Sequence, residues 1–167
     1  GVLVRSEEVW FRVVDAAGVK FRGRAATREE FFPTFGQGTA ADVPVFGLAC
    51  TTAELDAFYV DEFVKHLDAM WVNPEAAPLL EHLHGRGLRV GLVTNTVAPL
   101  TAAILERAGL SRWLGVRATA DRVANAKPAP DLVQLALAEL DGTELDPCSP
   151  RDARAAAQRV RRLRQDN

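Results

Sequence analysis

Leu88-Arg89-Val90-Gly91-Leu92-Val93-Thr94 is the run whose reading decides the fold. It is short, apolar and rich in branched side chains, and it comes after two chain-breaking glycines, Gly85 and Gly87, so it predicts a strand over 88–94. Beyond it, residues 97–108 return to helical spacing and Gly109 closes that element. A weaker strand is expected at 115–119, and a helix over 130–140 through Leu132, Val133, Leu135, Ala136, Leu137 and Leu140. On the near side, Asn73 as N-cap and Pro74 at the first helical position predict a helix to about His84, buried through Leu79, Leu80 and Leu83. The order helix, strand, helix, strand, helix is that of an α/β unit with a parallel sheet.

Residues 6–72 read differently. Ser6 suits an N-cap, Glu7 and Glu8 suit the positive end of the helix dipole, and Val9, Trp10, Val13, Val14 and Ala17 form one apolar face. A helix over 6–17 is therefore expected, with Gly18 as its stop. Thr27 and Glu30 have the capping-box spacing, which predicts a short helix through Phe31 and Phe32 before Pro33. Residues 36–50, with Gly36, Gly38, Pro44 and Gly47, read as a loop. Thr51 and Glu54 repeat the capping box, and behind them Leu55, Phe58, Tyr59, Phe63, Leu67, Met70 and Trp71 mark an amphipathic helix whose stripe reads as core. No strand is expected in 6–72, which reads as a separate helical module ending at a boundary at Asn73-Pro74.

Composition excludes several classes. With 167 residues, 48% hydrophobic and 25% charged, the chain has the make-up of one soluble globular domain, or a small one with an insertion. A net charge of −2 offers no global attraction for nucleic acid or membrane. No apolar run approaches the ~18 residues of a membrane span, and the start lacks the basic flank and apolar core of a secretion signal. Cys50 and Cys148 lie far apart and form no CxxC pair, so reduced thiols in the cytoplasm are expected. The chain does not begin with Met, which fits processing or a piece of something longer. His82 and His84 are two apart and cannot share a helix face as a metal pair, and His66 is expected to be exposed. Arg151, Arg154, Arg159, Arg161, Arg162 and Arg164 make a basic terminal helix, read as a solvated face in preference to an RNA site. Gly36-Gln37-Gly38 is too short and misplaced for a nucleotide fingerprint and reads as an ordinary turn.

Two residues carry chemistry. Thr94 ends an apolar strand, where open α/β sheets place ligands, and its hydroxyl, the Asn95 amide and the N–H groups opening the next helix are all potential donors to a phosphate. A strand-end Thr that merely caps the helix would look the same in isolation. Lys127 stands in Asn-Ala-Lys-Pro-Ala-Pro-Asp, where the prolines stiffen the backbone beside a point charge suited to an anion. Placed after successive strands, Thr94 and Lys127 together favour the anion site.

Here the sequence resembles a known family. Gly-Leu-Arg-Val-Gly-Leu-Val-Thr-Asn-Thr (87–96) and Asn-Ala-Lys-Pro-Ala-Pro-Asp-Leu (125–132) are similar to the second and third motifs of the haloacid dehalogenase superfamily, in its phosphoglycolate-phosphatase-like branch. Gly-Val-Leu-Val-Arg-Ser-Glu-Glu-Val-Trp (1–10) resembles the stretch immediately after that family's first motif. The resemblance implies an α/β Rossmannoid core with an inserted α-helical cap. Residues 1–5 would be the remnant after the first core motif, 6–72 the cap, and 73–167 an incomplete core with a basic C-terminal helix. It implies phosphoric monoester hydrolysis of a small organic phosphate. An Asp carboxylate attacks phosphorus, a second Asp acts as acid and base, and Mg²⁺, a Lys and a hydroxyl stabilise the phosphoryl oxygens. Thr94 and Lys127 match the last two roles, Asn95 a substrate-binding one, and Asp152, in Ser-Pro-Arg-Asp (149–152), a metal-site acid.

The chain departs from the family at both ends of the pattern. The first-motif aspartate pair would precede Gly1, Arg5 replaces a small acid, and Pro147-Cys148 stands where a strand and the first acid of the fourth motif belong. The expectation is a chain that keeps about two core strands, is marginally folded alone, and does not catalyse by the family route. A non-catalytic binding protein derived from the same fold and an RNA-associating protein are the alternatives. Substrate identity and oligomeric state are left open.

Overall fold

The computed structural model describes residues 2–36 and 38–142, so the expectations for Asp152 and the basic helix over 151–164 fall outside the described residues. The chain divides into two compact units, Gly1–Pro74 and Glu75–Asn167.

In the first unit, strand β1 (Val4–Arg5) precedes helix α1 (Glu7–Arg22). The helix does not stop at Gly18. It runs one further turn and ends at Gly23, whose φ of 75° is the left-handed cap conformation. Gly18 is a close-approach residue instead. It is buried inside the helix, and a Cβ there would lie 2.7 Å from the Arg24 carbonyl oxygen. Helix α2 (Arg28–Phe31) carries the expected capping box, with Thr27 accepting from Glu30 N–H and the Glu30 carboxylate accepting from Thr27 N–H. Residues 36–50 are not all loop. Helix α3 (Thr39–Val45) forms there, with Pro44 inside it, and Tyr59 on the next helix donates to Asp42 Oδ2 at 3.0 Å. A tertiary tie of this kind outweighs the local breaker signal.

Helix α4 (Thr52–Phe63) opens on the second capping box, Thr51 with Glu54. It is shorter than its apolar stripe suggests. A 3₁₀ segment, Val64–Ala69, comes next, and Trp71–Val72 leaves the helix as strand β2, antiparallel to β1 with Val4 opposite Val72. The unit therefore contains a strand pair that helical spacing conceals. Trp71 is exposed and lies under the Arg5 guanidinium at 4.1 Å, so it is not core. The next helix opens at Ala76 with Glu75 at the N-cap position, two residues beyond Asn73. The Asn73 N–H donates to Leu3 O at 2.9 Å and its side chain to Val2 O at 3.1 Å, extending the strand pair. The core joins Val9, Val13 and Ala17 of α1 to Leu55, Tyr59 and Phe63 of α4, with Trp10 packed 4.7 Å from the Phe63 ring. Each buried Val, Leu or Phe among them contributes roughly 1.5–3 kcal/mol. His66 is half-buried, not exposed, and lies 3.0 Å from Glu62.

In the second unit, helix α5 (Ala76–Gly85) buries Ala76 and Leu80, whereas Leu79 is 50% exposed. Strand β3 (Gly91–Val93), helix α6 (Ala98–Arg107), strand β4 (Val116–Ala118) and helix α7 (Asp131–Asp141) complete the order. β3 and β4 pair in parallel, Gly91 with Val116 and Val93 with Ala118. Helix α7 closes one face through Leu132, Leu135 and Ala136, which pack with Ala118, Val93 and Val116. Gly91 permits that approach, since a Cβ would stand 3.3 Å from Leu140 Cδ1. The strand is shorter than 88–94, and its residues are only half-buried because the parallel sheet has two strands among the described residues. The unit is an α/β Rossmannoid core carrying a small parallel sheet.

Candidate phosphate-holding site

The site gathers where β3 and β4 end. Thr94 N–H donates to Ala118 O at 3.0 Å, which carries the parallel ladder one residue past β3 and fixes the Thr94 main chain. Its Oγ1 accepts from Thr96 N–H at 3.1 Å, a local turn that leaves the hydroxyl hydrogen available to donate. Lys127 arrives from the loop between β4 and α7. Its Nζ lies 3.4 Å from the carbonyl of Val93, the residue before Thr94. An ammonium has three donors, so one weak contact to a carbonyl leaves two for an anion.

Asn95 joins the two loops. Its Oδ1 accepts from Lys127 N–H at 2.8 Å, and its Nδ2 donates to Lys127 O at 3.0 Å. The Lys127 loop is also held within itself, Asn125 donating through N and Nδ2 to Asp131 Oδ2 at 3.2 and 3.1 Å. The structure thus brings Thr94, Asn95 and Lys127 to one strand end, a joint placement that sequence could state only as two motifs.

One expected contributor is otherwise engaged. The N-terminus of α6 does not present its first N–H to a ligand, because Ala98 N–H donates to Asp121 Oδ1 at 2.9 Å and Pro99 has no N–H. Desolvation pushes the Asp121 carboxyl up, but the Thr119 hydroxyl, the N–H groups of Ala98 and Asp121, and the Arg122 charge together hold it below its usual value. Asp121 is a residue that sequence reasoning missed. Its position just after β4 was the available signal, since a short acid there can reach the start of the helix after the neighbouring parallel strand.

Among the described residues no group of three or more His, Cys, Asp or Glu side chains is gathered closely enough to hold a metal ion. His84 Nε2 is 2.9 Å from Trp113 O. Mg²⁺ is commonly held by one or two carboxylates with substrate phosphate and water, and Asp152, the acid expected to serve it, lies outside the described residues, so no chemical step is routed through that ion.

A family model for haloacid dehalogenase-like hydrolase matches residues 1–156. The phosphoglycolate phosphatase of Salmonella paratyphi A is 37% identical over 76 residues, covering 46% of this chain and 30% of that protein. Pyrophosphatase PpaX of Listeria welshimeri is 25% identical over 146 residues, 86% of this chain and 67% of that one. The chain thus matches less than a third of the length of the phosphoglycolate phosphatase. Among solved structures, CbbY of Rhodobacter sphaeroides in complex with phosphate superposes with a TM-score of 0.72 at 26% identity, over 83% of this chain and 68% of that one. Strand-end Thr and loop Lys, parallel pairing and a family match reaching residue 156 agree, and the chain belongs to the haloacid dehalogenase-like hydrolases.

Proposed function

We propose that Thr94 and Lys127 are the phosphate-holding half of a phosphoric monoester hydrolase site for a small organic phosphate. The observation that carries this reading is the Lys127 Nζ, 3.4 Å from the Val93 carbonyl, at the strand end where the Thr94 hydroxyl also stands. An ammonium and a hydroxyl held at one strand end are donors of the kind that stabilise charge on phosphoryl oxygens. A phosphoglycolate phosphatase, a pyrophosphatase and a neighbour solved with phosphate among the similar proteins support phosphoryl hydrolysis as the broader class. In this reading 1–5 come directly after the first core motif, 6–72 serve as the helical cap that selects the substrate, and 73–167 supply the core in the cytoplasm.

The family route proceeds through an aspartyl-phosphate, and in this reading its nucleophile belongs to the first motif, which the resemblance sets before residues 1–5. The Mg²⁺ requirement implied by the family would rest on that motif and on Asp152. The 167-residue polypeptide is accordingly proposed to hold phosphate without turning over a phosphate ester. The test is hydrolysis of an aryl phosphate with Mg²⁺ present. No release above the buffer rate is expected, and turnover that disappears with Lys127→Ala would overturn the proposed inactivity.

A further inference from the structure

Asn95 stands beside Thr94, where a direct contact to phosphate is the natural expectation, yet its amide is engaged elsewhere. The side chain has one acceptor oxygen and an NH₂ group. The oxygen takes the N–H of Lys127 at 2.8 Å and the nitrogen reaches the carbonyl of the same residue at 3.0 Å, across 32 residues of sequence. Both polar groups of Asn95 therefore pair with the main chain of one residue, much as a strand edge would. The orientation of the amide is set by its partners, because a main-chain N–H can only donate and a carbonyl can only accept.

The loop it grips has its own brace in the Asn125–Asp131 bonds at 3.1 and 3.2 Å, so Asn95 governs where the loop sits more than how it is shaped. Lys127 is exposed, and a long ammonium stem on an untethered loop samples many positions. We infer that Asn95 is a positioning residue, whose amide fixes the main chain of Lys127 so that the ammonium stands preset at the Thr94 strand end. This rests on the phosphate-holding reading and refines it. Asn95 acts through Lys127, and direct contact with phosphate is not its main task.

The sequence contains three lysines, Lys20, Lys65 and Lys127, so their side-chain ¹³Cε–¹⁵Nζ correlations are separately assignable by NMR. The probe is inorganic phosphate, titrated onto the 167-residue chain. In the parent, the Lys127 signal is expected to shift with phosphate while those of Lys20 and Lys65 stay. Asn95→Ala is expected to move the Lys127 signal before any phosphate is added, to speed exchange of the Lys127 main-chain amide, and to weaken phosphate binding about tenfold, the scale of one or two net hydrogen bonds. Thr94→Val is expected to weaken binding without changing the phosphate-free Lys127 signal or its amide exchange. Asn95→Asp keeps the oxygen that accepts from Lys127 N–H, so slow exchange of that amide is expected to survive, which keeps the inference testable if Asn95→Ala does not fold. A parent chain in which phosphate leaves Lys127 unmoved overturns the phosphate-holding reading and the inference with it. A parent response that persists in Asn95→Ala, with Lys127 exchange unchanged, overturns the inference alone. Weakened binding with an unaltered phosphate-free Lys127 signal in Asn95→Ala also overturns it, assigning Asn95 to direct contact.

Discussion

Replacing Gly18 with Ala sets two effects of opposite sign against each other. In a helix interior the exchange gains about 1 kcal/mol from backbone propensity. Against it, the new methyl carbon would stand 2.7 Å from the Arg24 carbonyl oxygen and 3.2 Å from Ala26 N. Both atoms are main chain, and both are tied down. Arg24 O accepts from Arg22 Nε at 3.3 Å, and Ala26 N–H donates to Asp15 Oδ1 at 3.1 Å. Neither can retreat as a flexible side chain would. Forcing an extra carbon into packed structure costs about 1–3 kcal/mol, and two tethered main-chain atoms at these distances put Gly18 at about 2–3, so a net loss of about 1–2 kcal/mol is expected. Gly85, the last residue of α5, is the internal control, because a Cβ there meets nothing within 4 Å. Gly85→Ala should gain about 0.5–1 kcal/mol. Thermal unfolding tracked by far-ultraviolet circular dichroism reads both, at about 4–8 °C per kcal/mol for a unit of this size. A Gly18→Ala chain as stable as its parent would refute the close-approach account.

Glu30, Asp42 and Leu132 give three further expected outcomes. Glu30 accepts from Arg24, Arg22 and Thr27, which together hold its carboxyl well below the usual range. A depressed folded-state pKa means stability present above the unfolded value of roughly 4.3 and lost as pH falls toward the folded one. The urea midpoint should therefore fall on acidification below about pH 4, and Glu30→Gln should flatten that dependence. Asp42 has the opposite sign: burial raises its pKa, although the Tyr59 hydroxyl pulls it down. Its contribution is greatest in acid and declines as pH rises through its titration, so Asp42→Asn should raise the urea midpoint at about pH 7 and have no such effect near pH 3. Leu132 has no exposed surface in the cluster joining α7 to the sheet. Leu132→Ala should cost about 2–5 kcal/mol, read as a lower urea midpoint.

Local chemistry was the most legible part of this chain. The capping boxes at Thr27 and Thr51 need only a hydroxyl and a carboxylate three residues apart, and both formed as expected. The parallel strands also declared themselves, since a branched apolar run between glycines has few alternatives. What escaped was non-local. Met70 and Trp71 continue the spacing of α4, but Val4 and Arg5 offer a strand partner far away in sequence, and pairing overrides periodicity. Gly18 looked like a stop because a glycine's need for close approach cannot be seen without the neighbour that approaches. Thr94 and Lys127 could be picked out by residue type and place. The Asn95 clamp could not, since it is a hydrogen bond between loops that only the folded sheet brings together, and for the Asp121 cap on α6 the sequence offered no more than the place of a short acid after β4.

The most direct test of the phosphate-holding reading is ³¹P NMR of inorganic phosphate titrated with the 167-residue chain. Saturable broadening of the phosphate line is expected, lost with Thr94→Val and Lys127→Ala combined while the circular dichroism of the chain is kept. Broadening that survives the double substitution, or none in the parent chain, would contradict it.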